Sequence, residues 1–530
     1  MNPVYYAAHA VALAPAVLMF SYIVLRMCRP GVDTAVWAPF RVLAGLGLMC
    51  ALVQPCLLWS AKGLMPASEV AGWGAWFAPN PLSAWLAVLV QLLGTVIGVF
   101  SARYLQGEPG QHRYAIAFAG VLGSVHPLLL AGHWLVLITA WAAVGLFLRH
   151  LLCFYQDRPF ALLAAHKKRI ADRLADMLML LAAVLAWSTV GSGSFAGLWA
   201  YLAQHGAPVA LQGSAICLML AVILRTALFP FHGWLIQVME APTPVSAMLH
   251  AGVVNLGGYL LIRFSPLLAV VSAARWLLVA FGLGTALLAG FVMLTRISIK
   301  VRLAWSTVAQ MGFMVLECGL GMYELAALHL IGHSLYKAHA FLSASSVVRN
   351  TRLQMMRGQQ PVAVWSLLLA PVVSLAIVTL VQMLAPAGWP WWWSGILALA
   401  WSPLLWAPAA QDGVVTVVWR RVMFGALMVA VLTTMAALVH MLPLRIADAP
   451  FHAAGWVALA GMALLYLGLA TLHLYPQGFL AWRRWSYAGF YVDEFYTRLA
   501  LRLWPARWTP EPASHTPPPL AGTMPVMTKD

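Results

Sequence analysis

With 530 residues, 62% of them hydrophobic and only 9% charged, the chain lacks the polar surface that a water-soluble globule of its size requires. A formal charge of +16 would suggest nucleic acid in a soluble protein. Here the Lys and Arg residues sit between apolar runs, so the charge reports membrane topology instead.

A spanning helix needs roughly 20 apolar residues, and about 15 such stretches are present. They fall at 4–26, 40–61, 81–101, 114–131, 133–155, 174–190, 208–238, 241–263, 266–295, 302–320, 322–348, 361–384, 390–410, 422–441 and 452–474. Runs such as Leu277 to Leu294 are apolar all round, where a barrel strand would alternate. The fold class is therefore all-α: a polytopic transmembrane bundle with at least one Pro-broken helix. The first run (Val4 to Leu25) has its basic residues after it, in the manner of a first span rather than a cleavable signal. Basic clusters at Arg26/Arg29/Arg41, Arg103/Arg113, Arg149 to Arg173, Arg296/Lys300/Arg302, Arg349/Arg352/Arg357, Arg420/Arg421 and Arg483/Arg484 land on one side of the membrane. That side is cytoplasmic by the positive-inside rule, which puts the N-terminus outside and the C-terminus inside.

The segment 149–173, with His166, Lys167, Lys168 and Arg169, reads as a long polar cytoplasmic turn. In the seventh span Pro230 interrupts ILRTALFPFHGWL between Arg225 and His232. Proline removes a backbone donor and clashes with the preceding turn, so the helix should break there. Broken helices beside ionisable groups expose backbone dipoles to an ion, although a packing kink would leave the same trace in sequence. Glu240-Ala-Pro242-Thr-Pro244 suits a helix start. Glu240 is then either a cap or the counter-charge of Arg225 or Lys337. Gly252, Gly257 and Gly258 permit close helix approach.

A charge at the bilayer centre costs about 2.5–3.5 kcal/mol on insertion scales, so each needs a reason. Arg263, Lys300 and Arg302 lie near span ends, where snorkelling is the default, with Lys300 also a path candidate. The run HLIGHSLYKAHAF sets His329, His333 and Lys337 at i, i+4 and i+8, one stripe along about 12 Å of helix, with His339 beside it. Such a stripe can relay protons. A structural hydrogen-bonded stripe or metal ligation by the His pair would fit the same spacing, and no carboxylate or third ligand lies close by in sequence. The cation path read from the chain comprises Lys337, His333, His329, His250, Glu240, His232, Arg225, Lys300 and His339, with Pro230 as the helix break. The six cysteines show no CxxC or other metal spacing and read as small apolar core residues. No catalytic, cofactor or metal site is expected in this chain.

Trp389 to Trp393 is a candidate interfacial belt or docking site, and the tail from Arg498 a candidate contact. The domain layout is then a bundle over 1–475 with its core motifs in 208–348, a cytoplasmic or interfacial helix over 476–505, and a Pro-rich disordered tail over 506–530.

These residues carry a resemblance to the proton-translocating antiporter-like family, which includes subunit L of NADH-quinone oxidoreductase and membrane subunits of multi-subunit cation antiporters. Its motif PxHxWLxxAMExPTPVSAxxHA is matched by Pro230, His232, Trp234, Leu235, Met239, Glu240, Pro242 to Ala247, His250 and Ala251. KVRLAWSTVAQMGFM (Lys300 to Met314), HSLYKAHAFLSASSV with Lys337, and GFYVDEFY (Gly489 to Tyr496) are similar to further family segments. Within the family, the wording FHGWLIQVMEAPTPVSAMLHAGVVNLGGYLLIRFSPLL resembles the membrane subunits of the DAB inorganic-carbon accumulation complexes. That resemblance implies a bacterial inner-membrane location and a partner, a large DabA-like subunit with zinc and β-carbonic-anhydrase character. In such a complex H⁺ or Na⁺ flow drives one-way hydration of carbon dioxide to bicarbonate, with the zinc held by the partner. The alternatives are a pumping or antiporter subunit of a respiratory NADH-quinone oxidoreductase, a membrane hydrogenase or a cation/proton antiporter, or a non-transporting scaffold. One departure stands out. The family's fifth-span glutamate is replaced by Ala142, and Arg225 occupies the position of its lysine partner, so the expected ion pair is missing. Arginine does not release its proton, which leaves Arg225 to bias neighbouring groups.

Overall fold

The computed structural model describes residues 3–28, 36–60, 73–344, 362–384, 388–409, 415–439, 444–475 and 477–505. In chain order the helices are α1 (Pro3–Cys28), α2 (Trp37–Ser60), α3 (Trp73–Trp76), α4 (Pro81–Tyr104), α5 (Gln111–Leu130), α6 (Trp134–Leu152), α7 (Pro159–Val190) and α8 (Phe195–His205). There follow α9 (Val209–Arg225), α10 (Gly233–Gln237), α11 (Thr243–Ala251), α12 (Leu256–Arg263), α13 (Ser265–Val270), α14 (Ser272–Leu294), α15 (Ile299–Leu320) and α16 (Tyr323–Leu342). The last group is α17 (Val364–Leu384), α18 (Trp391–Trp401), α19 (Val415–Val439), α20 (His452–Leu474), α21 (Leu480–Tyr487) and α22 (Val492–Leu503). No β-strand occurs among the described residues.

Eleven segments among the described residues are long and apolar enough to cross a bilayer. The other four expected spans fall on helices that fail for visible reasons. Helix α7 carries a polar first half, α9 stops at 17 residues, α16 carries three histidines and a lysine, and α18 has only 11 residues. Burial separates centre from rim: 89% of the best window in Thr243–Arg263 is buried, against 22% in Trp37–Ser60 and in His452–Leu474. The rim helices turn side chains such as Leu368, Met383 and Leu464 outward, an apolar girdle that only lipid can solvate.

Local chemistry explains the element boundaries. Asn80 and Ser83 cap each other reciprocally before α4, with Pro81 at its first position. Pro159 starts α7, and left-handed glycines close α7 (Gly191, φ 73°) and α15 (Gly321, φ 78°). The polar stretch expected to be a turn corrects itself here: residues 159–173 are the first half of the 32-residue α7, and His166, Lys167 and Lys168 are buried. Lysines can be interior because ion pairs meet them, Lys168 from Asp172 one turn on in the same helix and Lys167 from the distant Asp493.

Two spans are broken. The ladder of α9 ends when Thr226 donates to Val222, Ala227 takes a left-handed φ of 55°, and the Phe229–Pro230 peptide is cis. The freed Phe229 N–H donates across to the Thr285 hydroxyl of α14 at 3.1 Å. A second break, unexpected from sequence, divides α11 from α12 at Gly252–Asn255. Asn255 holds it, its side-chain amide donating to the Ala251 carbonyl at 2.9 Å. The span drawn from 266 starts later than expected: 265–270 form the separate short α13, and the span itself is the continuous α14.

Close packing around these breaks uses glycine. A Cβ on Gly257 would lie 2.3 Å from Thr226 Cγ2, and one on Gly258 2.3 Å from Met314. The expectation of close approach holds for that pair, while Gly252 instead sits at the break. Two other expectations are corrected. Trp392 and Trp393 are buried in a second core with Ile396, Ala458 and Met462, so only Trp391 of that run faces outward as a belt residue would. Among the cysteines, Cys318 is buried but Cys28 and Cys56 are exposed on the rim. The Pro-rich 506–530 tail lies outside the described residues.

Helices α14 and α15 touch backbone to backbone, since a Cβ on Gly282 would fall 2.6 Å from Leu316 N and 2.8 Å from Gly312 O. Gly282→Leu should therefore lower the thermal midpoint in detergent, at an overpacking cost of about 1–3 kcal/mol or more. Gly284→Ala, whose new methyl meets nothing within 4 Å, should leave the midpoint unchanged.

Candidate functional site

The first break delivers Arg225, the last residue of α9, into a buried cluster with α7. Its Nε lies 3.1 Å from Asp172 and its Nη2 donates to Asp176 at 2.8 Å, while Nη1 donates to the Trp141 carbonyl at 2.5 Å. The guanidinium also rests 4.3 Å from the Trp141 ring centroid. Lys168, one turn before Asp172, pairs with that same carboxylate. Two cations and two carboxylates thus balance, which is the condition under which charges tolerate burial. Gly145 of α6 makes the room, because a Cβ there would approach Arg225 Nη2 to 2.9 Å and Asp172 Oδ2 to 3.2 Å.

The second group lies where α11, α12, α15 and α16 meet. Lys337 is fully buried and donates to the Leu303 carbonyl at 3.0 Å and the Ser306 hydroxyl at 2.8 Å. His250 stacks on Phe341 at 4.6 Å and has no hydrogen-bond partner on either ring nitrogen among the described residues. His333 Nδ1 lies 3.2 Å from Asn255 Oδ1, and Asn255 in turn donates to Ser334 Oγ at 2.7 Å. The His333 and His329 rings are 6.1 Å apart, and His329 Nδ1 meets Glu317 Oε2 at 2.9 Å. The result is a line of exchangeable groups from Lys337 to Glu317 inside an apolar bundle. It ends near the Gly321 turn, opposite the bundle end where Lys300 donates to Thr243 at 2.9 Å. Among the described residues no group of three or more His, Cys, Asp or Glu side chains could hold a metal ion.

A third contact ties the C-terminal segment to the first cluster. Lys167, the neighbour of Lys168, pairs with Asp493 of α22 at 2.5 Å and donates to Thr497 at 2.9 Å. Gln237 of α10 donates to the second oxygen of Asp493 at 3.2 Å, and Tyr496 packs edge-on against Phe231. The GFYVDEFY motif is therefore seated directly on the broken seventh span.

The structure brings together four of the residues singled out in sequence, Lys337, His333, His329 and His250. It sets three apart. His339 is exposed on the far face of α16, and His232 is buried elsewhere, stacked on Phe229 at 4.0 Å. Glu240 is the clearest correction: it is half-exposed, faces Arg158 at 3.7 Å, and is counter-charge to neither Arg225 nor Lys337. The missing fifth-span glutamate is answered by Asp172, which the reading of 149–173 as a turn hid, and by Asp176, just inside the span drawn at 174–190. Had the i, i+4 spacing of Lys168, Asp172 and Asp176 been read as helical, a buried charged face on α7 would have been visible. Glu317 shows in sequence only as a charge within an apolar run and Asn255 not at all, because their partners lie 12 and 78 residues away.

Over residues 131–402, which contain both breaks and the whole line from Glu317 to Lys337, the sequence matches the family model described as NADH:quinone oxidoreductase/Mrp antiporter, transmembrane. A probable inorganic carbon transporter subunit DabB from Hydrogenovibrio crunogenus is 37% identical over 444 residues, 82% of this chain and 84% of that protein. NADH-quinone oxidoreductase subunit L of Mycobacterium tuberculosis is 33% identical over 272 residues, 51% of this chain and 43% of that one. The solved Mrp complex from Dietzia sp. DQ12-45-1b contains a chain alike in fold, with a TM-score of 0.56 at 23% identity. That likeness covers 95% of this chain and 56% of the other, so this chain spans little more than half its length.

Removing both carboxylates around Arg225 by Asp172→Asn with Asp176→Asn leaves two buried cations unpaired. The expected loss of stability is about 3–5 kcal/mol, read as reduced folded yield and midpoint in detergent. Glu240→Gln breaks only a solvated pair and should cost about 0–1 kcal/mol.

Proposed function

We propose that this chain, which belongs to the NADH:quinone oxidoreductase/Mrp antiporter membrane family and is a cation-translocating subunit of that kind, moves protons to drive inorganic-carbon uptake by a partner. The observation that carries the ion path is the line Lys337, His250, His333, His329 and Glu317 among apolar helices, all buried except the half-buried His329. These are proton-exchanging groups, whereas a hard metal cation takes a shell of oxygen ligands. Lys337 is the central carrier, since Leu303 and Ser306 solvate its ammonium without neutralising it. Among the described residues no carboxylate pairs with it. His250, with no fixed partner, accepts from Lys337, and the proton passes through His333 to His329 and Glu317. Asn255 orients His333 and closes the α11 end at once, so the break and the relay share one side chain.

Arg225 does not exchange protons. Together with Lys168, Asp172 and Asp176 it sets the field at the Lys300 side of the bundle, the role taken elsewhere in the family by the fifth-span carboxylate. The basic clusters support a cytoplasmic position for that side, in a bacterial inner membrane. The inorganic-carbon reading rests on the DabB relative, which aligns along most of both chains. The partner is then a large DabA-like, β-carbonic-anhydrase-like subunit that holds zinc and hydrates carbon dioxide one way to bicarbonate.

Purification of the tagged chain from native membranes in mild detergent, with zinc analysis of the co-purifying proteins, tests the partner. A large zinc-bearing protein in fixed ratio is the expected result. Redox or antiporter subunits in its place would overturn the carbon reading. In cells producing the chain with that partner, Lys337→Met should reduce uptake of labelled inorganic carbon by on the order of 10²-fold. Glu240→Gln should leave uptake close to wild type. Unchanged uptake in Lys337→Met would remove Lys337 from the path.

A further inference from the structure

From the depth and composition of the C-terminal segment we infer that α21 and α22 form a binding surface for anionic phospholipid headgroups, through Arg483, Arg484, Arg498 and Arg502. The depth follows from the spans above it. Helix α14 has 23 residues, roughly 35 Å at 1.5 Å per residue, and the hydrocarbon core is about 30 Å thick. Its Leu294 end therefore reaches the headgroup layer. Trp482 of α21 packs edge-on against Phe291 with centroids 5.5 Å apart, and the Arg296 guanidinium lies 5.2 Å from the Tyr487 ring. Arg483 also donates to the Leu472 carbonyl at the end of α20, at 3.1 Å. Helix α21 is thus pinned to the ends of two spans at the membrane surface.

Composition matches that depth. All four arginines are exposed, and Arg498 and Arg502 share one face of α22 at i, i+4. Trp485 and Phe495 are 57% and 70% exposed, large aromatic surfaces suited to the interface and poorly suited to water. The one exposed acid among them is Glu494, while Asp493 is held inward by Lys167 and Gln237. Four guanidinium groups beside aromatic anchors fit an anionic lipid surface, each contributing about fivefold to partitioning. Helix α22 then has two occupied faces: lipid outside, and inside the Asp493 contact with the broken span. This surface is independent of which ion the chain moves or which protein it joins.

The full chain in nanodiscs of phosphatidylcholine, or of phosphatidylcholine and phosphatidylglycerol in equal parts, provides the test by hydrogen exchange of peptides within 477–505. Slower exchange is expected in the phosphatidylglycerol discs, and the difference should vanish at high salt and in a variant with all four arginines changed to Gln. A variant with all four changed to Lys should retain it. Equal exchange of the wild-type chain in the two lipids, or protection that requires a co-purified protein, would overturn the inference. The lipid comparison uses the unmodified chain, so it decides the matter even where the Gln variant fails to fold.

Discussion

Inside a bilayer every backbone donor and acceptor must find a partner within the protein, and the architecture around both helix breaks follows from that requirement. Phe229 N–H reaches Thr285, and the Ala251 carbonyl receives Asn255. Cations at the opposite end do the same work. Arg263 donates to Ala78 and Ala131, and Arg275 to Gly319 and Ala449; Ala131 and Gly319 lie at helix C-terminal ends, where positive charge is favoured. Breaking a helix in lipid draws polar side chains to the break. Once there, those side chains supply the groups that a proton relay needs.

The two charged regions solve burial differently. Around Arg225, Lys168, Asp172 and Asp176 the charges cancel within contact distance, and the cluster is rigidly held between α6, α7 and α9. Around Lys337 no carboxylate among the described residues is in contact, and the ammonium is solvated by a hydroxyl and a carbonyl. A paired charge is costly to neutralise, and an unpaired buried one is costly to keep. The first region therefore suits a fixed field and the second a group that gains and loses a proton. The adjacent lysines Lys167 and Lys168 face in two directions, one toward the C-terminal helix and one into the Arg225 cluster. The stretch of α7 that carries them thus connects the membrane surface to the interior field.

Much of the fold was legible in sequence because it is written locally. Composition alone requires lipid, span lengths follow from bilayer thickness, and Pro230 marks a break that the backbone cannot avoid. The stripe of His329, His333 and Lys337 follows from helical periodicity, a property of one element read along its own axis. The motif around Pro230 to Ala251 indicated the family for the same reason, being contiguous.

What the chain by itself determined was thus its solvent, its helices, one break and one polar stripe. Tertiary structure decided which faces meet. Asp172 and Asp176 reach Arg225 from 53 and 49 residues away, Asn255 reaches His333 across 78, and Asp493 reaches Lys167 across 326. Glu240, part of the motif in sequence, turns outward to Arg158 instead. A buried charge is stable only with its partner in place, and that partner is chosen by packing between distant helices, not by anything in the neighbouring residues.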